Sequence, residues 1–158
     1  EKIKSSNNPE FRVLNLFAYT GCATMAASAA GAKEVVHVDS SKGMIDWAKE
    51  NMKLSHLENN KIRFIQDDVI KFLEKEKRRG RTYHGIIMDP PRSGSDEKFI
   101  KSVLKLLPEK VIYISCNPKT QVTDLKLLMD KYEINFIQPV DMFPHTAHVE
   151  NIVCLKRK

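Results

Sequence analysis

With 158 residues, a formal charge of +6, 42% hydrophobic and 29% charged residues, the chain has the make-up of one globular domain, neither disordered nor fibrous. Its opening EKIKSSNNPE has no apolar core, and no apolar run approaches bilayer-spanning length, so neither a secretory leader nor a membrane span is expected. Cys22, Cys116 and Cys154 are odd in number, far apart and without CxxC spacing. That pattern speaks for free thiols in a reducing, cytoplasmic setting rather than for disulfides or zinc.

Taken in chain order, short β-branched runs alternate with helix-length amphipathic segments. After an N-terminal tail over 1–10, RVLNLF at Arg12–Phe17 reads as a buried strand, followed by a turn at Tyr19-Thr20-Gly21. Cys22–Ala30 is rich in alanine, with Met25 among them, and favours helix. EVVHV at Glu34–Val38 is a second strand, and Ser40 or Ser41 caps a helix that runs to Leu54. Lys61–Gln66 is a strand, Val69–Lys77 a helix with Asp68 near its start, and Tyr83–Met88 a strand ended by Pro90-Pro91. Asp96–Leu107 reads as helix, Lys110–Ser115 as strand, and Lys119–Lys131 as helix after Asn117-Pro118. Two strands close the chain, Ile134–Gln138 and Val149–Leu155, with no helix between them.

Five strand–helix repeats predict a parallel sheet covered on both faces, and the closing pair predicts an antiparallel hairpin that makes the C-terminal strand antiparallel. This α/β order resembles the Rossmann-like class I methyltransferases, with seven strands in a single catalytic domain over 1–158. Such sheets bind ligands beyond the carboxyl ends of their strands, at the switch point after the first. Here that point carries Gly21 alone, without the GxGxxG fingerprint that a dinucleotide pyrophosphate needs. Adenosylmethionine has no phosphate and needs no such cradle. Asp39 ends the second strand, where an acid accepts both ribose hydroxyl protons; as a plain helix cap it would do less. Asp68 is placed to accept from an adenine amino group, with Asp67 as the competing choice and a helix cap as the plainer role.

Three stretches of the first half, VLNLFAYTG at Val13–Gly21, VVHVDSSKGMIDWAKEN at Val35–Asn51 and DDV at Asp67–Val69, resemble the rRNA 5-methylcytosine methyltransferase family, as does MDPP at Met88–Pro91. The resemblance covers residues 11–91. It implies S-adenosyl-L-methionine as cofactor, with contacts from Phe17, Tyr19, Gly21, Asp39, Ser40, Asp68, Asp89 and Pro90.

From Asp89 to Lys158 the sequence instead resembles the RNA 5-methyluridine methyltransferases, through DPPRSG at Asp89–Gly94, YISCNPKT at Tyr113–Thr120 and PVDMFPHTAHVEN at Pro139–Asn151. This implies Cys116 as nucleophile and Glu150 as general base. The chemistry suits them. Uracil carbon 5 attacks a sulfonium methyl only after a thiolate adds to carbon 6, and a carboxylate then removes the carbon 5 proton. Cys116 directly precedes a helix start, where amide dipoles favour a thiolate. Cys22 and Cys154 sit in no chemical motif and read as packing residues.

Asp89 is expected to face the target base and the transferring methyl. Arg92 replaces the aromatic that amino-methylating enzymes carry after their two prolines, and pairs with an RNA phosphate or an acidic neighbour. His145 and His148 lack a third ligand, so no metal is expected. The change of resemblance predicts a join of two parents near residues 89–95. Thr123 stands before Asp124 where the uridine family has arginine, and the residues before the first strand hold no counterpart of that family's RNA-binding barrel. The basic clusters at Lys75–Arg81 and Lys156–Lys158 suit a polyanion as well as a solvated surface. A monomer that methylates tRNA or rRNA at uridine is the leading expectation. A scaffold that only binds the cofactor and a 5-methylcytosine enzyme are the alternatives.

Overall fold

A computed structural model describes residues 10–57, 61–142, 144–146 and 148–158. Most of the expected N-terminal tail, together with Phe143 and Ala147 of the PVDMFPHTAHVEN motif, lies outside the described residues.

Twelve described elements follow one another: β1 (Arg12–Leu16), α1 (Cys22–Ala29), β2 (Glu34–Asp39), α2 (Lys42–Leu54), β3 (Ile62–Gln66), α3 (Val69–Arg78), β4 (Gly85–Met88), α4 (Glu97–Leu106), β5 (Lys110–Ser115), α5 (Pro118–Leu128), β6 (Tyr132–Val140) and β7 (Glu150–Arg157). The strands form one sheet in the order β3-β2-β1-β4-β5-β7-β6. The first five are parallel, while β7 runs antiparallel to both β5 and β6. The α/β class and the antiparallel C-terminal strand are therefore as the sequence predicts, with β7 inserted between β5 and the edge strand β6. Sheet order reverses at β1, so the loops after β1 and β4 open a crevice at the carboxyl ends of the strands.

Alternation along the strands fills both faces. Leu14, Leu16, Val36, Val38, Ile86 and Met88 pack with Phe72, Phe99, Leu125 and Leu128 from α3, α4 and α5. On the other face, Phe11, Val13, Val35 and Ile87 pack with Ala27 of α1. Fully burying a side chain the size of Phe99 or Leu14 stabilises by roughly 1.5–3 kcal/mol each.

Local signals set the helix starts. Ser41, Asp68, Asp96 and Asn117 each accept a main-chain N–H of their own first turn. Pro118 opens α5, where its missing N–H costs nothing. Several boundaries differ from expectation by one to three residues, two of them around the turn between α5 and β6. α5 stops at Leu128, three residues short of Lys131, because Lys131 N–H turns back to the Leu128 carbonyl. β6 in turn begins at Tyr132, whose buried hydroxyl donates to the Pro108 carbonyl at 2.9 Å. β6 carries a register shift between Ile134 and Phe136, and Pro139 sits opposite Asn151.

Candidate functional site

A recess of about 220 Å³ opens at the carboxyl ends of β1 and β4, lined by Asn15, Phe17, Tyr19, Thr20, Gly21 and Asp89 among others. Its wall is the β1–α1 loop, which reverses tightly. Phe17, Tyr19 and Gly21 all have positive φ, at 55°, 48° and 94°. Two side chains hold that loop. Asn51 of α2 donates to the Thr20 carbonyl at 2.9 Å, and the Asp39 carboxylate accepts the Tyr19 N–H at 2.9 Å. Gly21 also lies against α2. A Cβ there would stand 3.2 Å from Ala48 Cβ and 3.3 Å from Met52 Cε.

Asp39 uses its second oxygen on the Ser41 N–H at 2.9 Å, so each oxygen holds one amide and keeps a further lone pair. Ser40 is exposed beside it, and its carbonyl accepts from Gln66 at 3.4 Å. Asp68 caps α3 through the Lys71 N–H at 3.0 Å. Asp67 accepts the Asp68 N–H at 3.0 Å and pairs with Lys75 at 2.6 Å, which ties up the competing acid. Pro90 is buried behind Asp89 and does not line the recess.

The remaining predicted residues gather at the neighbouring strand ends. Ser115, last residue of β5, pairs with Asn151 of β7. Carried one step further, that register sets Cys116 across from Glu150. Asp89 follows Met88, whose partner is Tyr113 of β5. Three motifs distant in sequence thus meet at one edge of the sheet.

α5 braces all three. Asn117 Nδ2 and the Thr120 hydroxyl reach the Arg92 carbonyl at 3.2 and 3.5 Å. Asp124, 5% exposed, accepts the Ser95 N–H at 2.8 Å and the Tyr113 hydroxyl at 2.6 Å. Gly94 has φ 88°, and a Cβ there would lie 3.0 Å from Thr120 Cβ, so only glycine allows the loop this close.

Burial pushes the Asp89 carboxyl up to about 6, and the nearby Glu150 charge adds to the rise. Asp89 stands at an open mouth, so water tempers that effect. Glu150 is also raised, by burial. Two carboxyls near each other, both disfavouring charge, suit proton handling near neutrality. Beneath the recess Asn15 donates to Thr24 at 2.9 Å, and Thr24 shares a hydrogen bond of 3.0 Å with Nδ1 of His37. His37 is fully buried, and burial lowers its pKa to about 4.

Arg92 is exposed, and its side chain meets a histidine rather than a carboxylate. Its Nη2 lies 2.7 Å from Nδ1 and 3.1 Å from Nε2 of His148, which links the Asp89 loop to the segment before Glu150. Among the described residues, no three His, Cys, Asp or Glu side chains gather as metal ligands, and no helix is long and apolar enough to cross a membrane. All three cysteines are free thiols: Cys22 exposed, Cys116 half-buried, Cys154 buried. Sequence reasoning passed over Asn15, Cys22 and Ile114 in the recess wall, because nothing in their local motif marks them. A second cavity of about 260 Å³, between α3 and α4, is lined by Leu73, Glu74, Lys77, Arg78, Ser102 and Lys105.

The sequence model of the family described as tRNA (Uracil-5-)-methyltransferase matches residues 2–158. The chain belongs to the tRNA (uracil-5-)-methyltransferase family. The match passes through residues 89–95 without a break, so a join of two parents gains no support from it. An RNA methyltransferase of Bacillus cereus is 41% identical over 142 residues, covering 89% of this chain and 30% of its own length. One from Thermotoga maritima is 38% identical over 144 residues, covering 90% and 31%. The chain thus spans about 30% of the length of these two relatives. Among solved structures, Pyrococcus abyssi tRNA (uracil-54, C5)-methyltransferase in complex with S-adenosyl-L-homocysteine aligns with a TM-score of 0.76 at 27% identity, over 92% of this chain and 34% of that one. A SAM-dependent methyltransferase from Agrobacterium tumefaciens aligns at 0.80 with 26% identity, over 99% and 59%.

Proposed function

We propose that this chain is the catalytic part of an enzyme that methylates carbon 5 of a uridine in RNA, with S-adenosylmethionine as methyl donor. The observation that carries this reading is the β5–β7 register, in which Ser115 faces Asn151 and the next residues outward are Cys116 and Glu150. A nucleophile and a base on opposite sides of one small site are what the reaction needs. The free thiols suit a reducing compartment such as the cytoplasm.

The nucleoside end of the site fits the donor. Asp39 keeps lone pairs for two ribose hydroxyls, the β1–α1 loop offers a close backbone approach, and nothing resembling a phosphate cradle is needed. The recess is smaller than the ~300 Å³ at the lower end of usual ligand sites. A bound nucleoside therefore extends over the open rim towards Asp39 and Asp68. When bound, the donor supplies an electrophilic methyl on sulfonium sulfur.

The chain's own residues do the rest. Cys116 Sγ adds to carbon 6 of uracil, and the electron pair moves to carbon 5 as an enolate that takes the methyl. To Asp89, whose pKa is raised by burial and by Glu150, we assign the hydrogen bond to a uracil carbonyl that steadies that enolate while the carboxyl holds its proton. Glu150 accepts the carbon 5 proton; the C5–H electrons form the C5=C6 bond as the C6–S bond breaks, and Cys116 leaves as thiolate. Arg92, held beside His148, is positioned to meet substrate on the Asp89 side.

Calorimetry with S-adenosylmethionine on the wild type and on Asp39→Ala tests the donor site. Trapping with RNA that carries 5-fluorouridine tests the chemistry, with Cys116→Ala as control. Donor binding lost in Asp39→Ala and an adduct lost in Cys116→Ala are expected. A folded protein that binds no donor would leave a scaffold. Methyl transfer confined to cytosine-containing RNA would make it a 5-methylcytosine enzyme.

A further inference from the structure

We infer that Gln121 is a positioning residue for Glu150. The inference rests on the reading above and concerns one step of it, removal of the carbon 5 proton.

Gln121 is 1% exposed, in the first turn of α5. Its Nε2 donates to the Tyr113 carbonyl at 3.0 Å and to the Asn151 carbonyl at 3.2 Å, while its Oε1 accepts from Asn151 Nδ2 at 2.7 Å. Its own N–H donates to the Asn117 carbonyl at 3.1 Å. A short chain of hydrogen bonds therefore runs from the residue after Cys116, through Gln121, to the residue after Glu150. It crosses the seam where Tyr113 faces Val153 and Ser115 faces Asn151.

The end of a strand frays unless something holds it. Asn151 is the last β7 residue paired with β5, and Glu150 lies one step beyond, paired only with Val140 of the outer strand. The amide clasp is thus the last fixed point before the carboxylate on the β5 side. A base must come within roughly 2.6–3.2 Å of the proton it takes, and a displacement of about 1 Å costs on the order of 100-fold. Glutamine suits the post because its amide donates two hydrogens and accepts one. Leucine fills the space and does neither.

The test compares wild type, Gln121→Leu and Asn151→Ala on RNA whose target uridine carries hydrogen or deuterium at carbon 5. In both variants turnover is expected to fall roughly ten- to a hundred-fold. KM for RNA stays as in wild type, the deuterium isotope effect rises, and methylated RNA accumulates as a covalent adduct on Cys116. A fall in turnover with no rise in isotope effect and no adduct would assign Gln121 to packing and overturn the inference, as would unchanged turnover. Should Gln121→Leu fail to fold, Asn151→Ala decides by the same readouts, since it leaves Gln121 bound to Tyr113. Failure of the broader reading looks different, because wild type itself would then methylate no uridine and form no adduct.

Discussion

One oxygen of Asp124 receives both the Tyr113 hydroxyl, at 2.6 Å, and the Ser95 main-chain N–H, at 2.8 Å. A single buried carboxylate therefore joins β5 to the loop that carries Asp89 and Arg92. Burial, followed by the bond to Asp124, raises the Tyr113 pKa, so the hydroxyl remains a donor.

Asp124→Ala removes an acceptor from two buried donors. The expected loss is about 3 kcal/mol, since unpaired buried groups bear their full desolvation cost. Tyr113→Phe spares the Ser95 bond and is expected to lose roughly half as much. Urea unfolding of the two variants beside wild type gives the comparison, and equal losses would count against the shared-acceptor account.

Gly21→Ala forces a side chain into φ 94° and against Ala48 and Met52. A left-handed residue costs roughly 1–2 kcal/mol before the contact is counted. Because the same glycine ends the recess loop, donor binding is expected to weaken together with thermal stability. Calorimetry and a melting curve on one preparation check both.

His37 titrates near 4 when folded and near 6.5 when unfolded, because burial disfavours its charged form. Between those values the unfolded chain holds more protons, so stability falls as pH drops from about 6.5 to about 4. The full effect is on the order of 3 kcal/mol. His37→Gln is expected to flatten the decline, read as denaturation midpoints across that range.

Asp89 behaves in the opposite sense. Its folded pKa is raised to about 6, so from about 4 to 6 the native state holds the extra proton and stability declines as pH rises. Asp89→Asn is therefore expected to melt at a higher temperature than wild type at pH 7, and at the same temperature at pH 4, while losing methyl transfer. A variant less stable at pH 7 would contradict the strain assigned to this carboxyl.

Most of the fold was legible because the strands announce themselves by β-branched residues and four of the five described helices start at a side-chain cap such as Ser41, Asp68 or Asn117. The end of α5 was not, since no glycine marks it and only the Lys131 turn stops the helix. Within the candidate site, the strand-end acids and Cys116 could be found from position and motif. Partners that fold in from afar could not. His148 is 56 residues from Arg92, and Asn151 is 30 from Gln121, distances that no local pattern spans.

The register shift in β6 matters beyond its own ladder. β6 is an outer strand with Ile134 and Ile137 exposed, the kind of rim onto which another chain can add a strand. The bulge twists that rim, and Pro139 offers it no N–H, so a neighbouring copy finds no smooth edge to copy onto. Deleting Asn135 and replacing Pro139 with valine would straighten the edge. The variant is expected to form oligomers that grow with concentration, a liability that the bulge and Pro139 hold off.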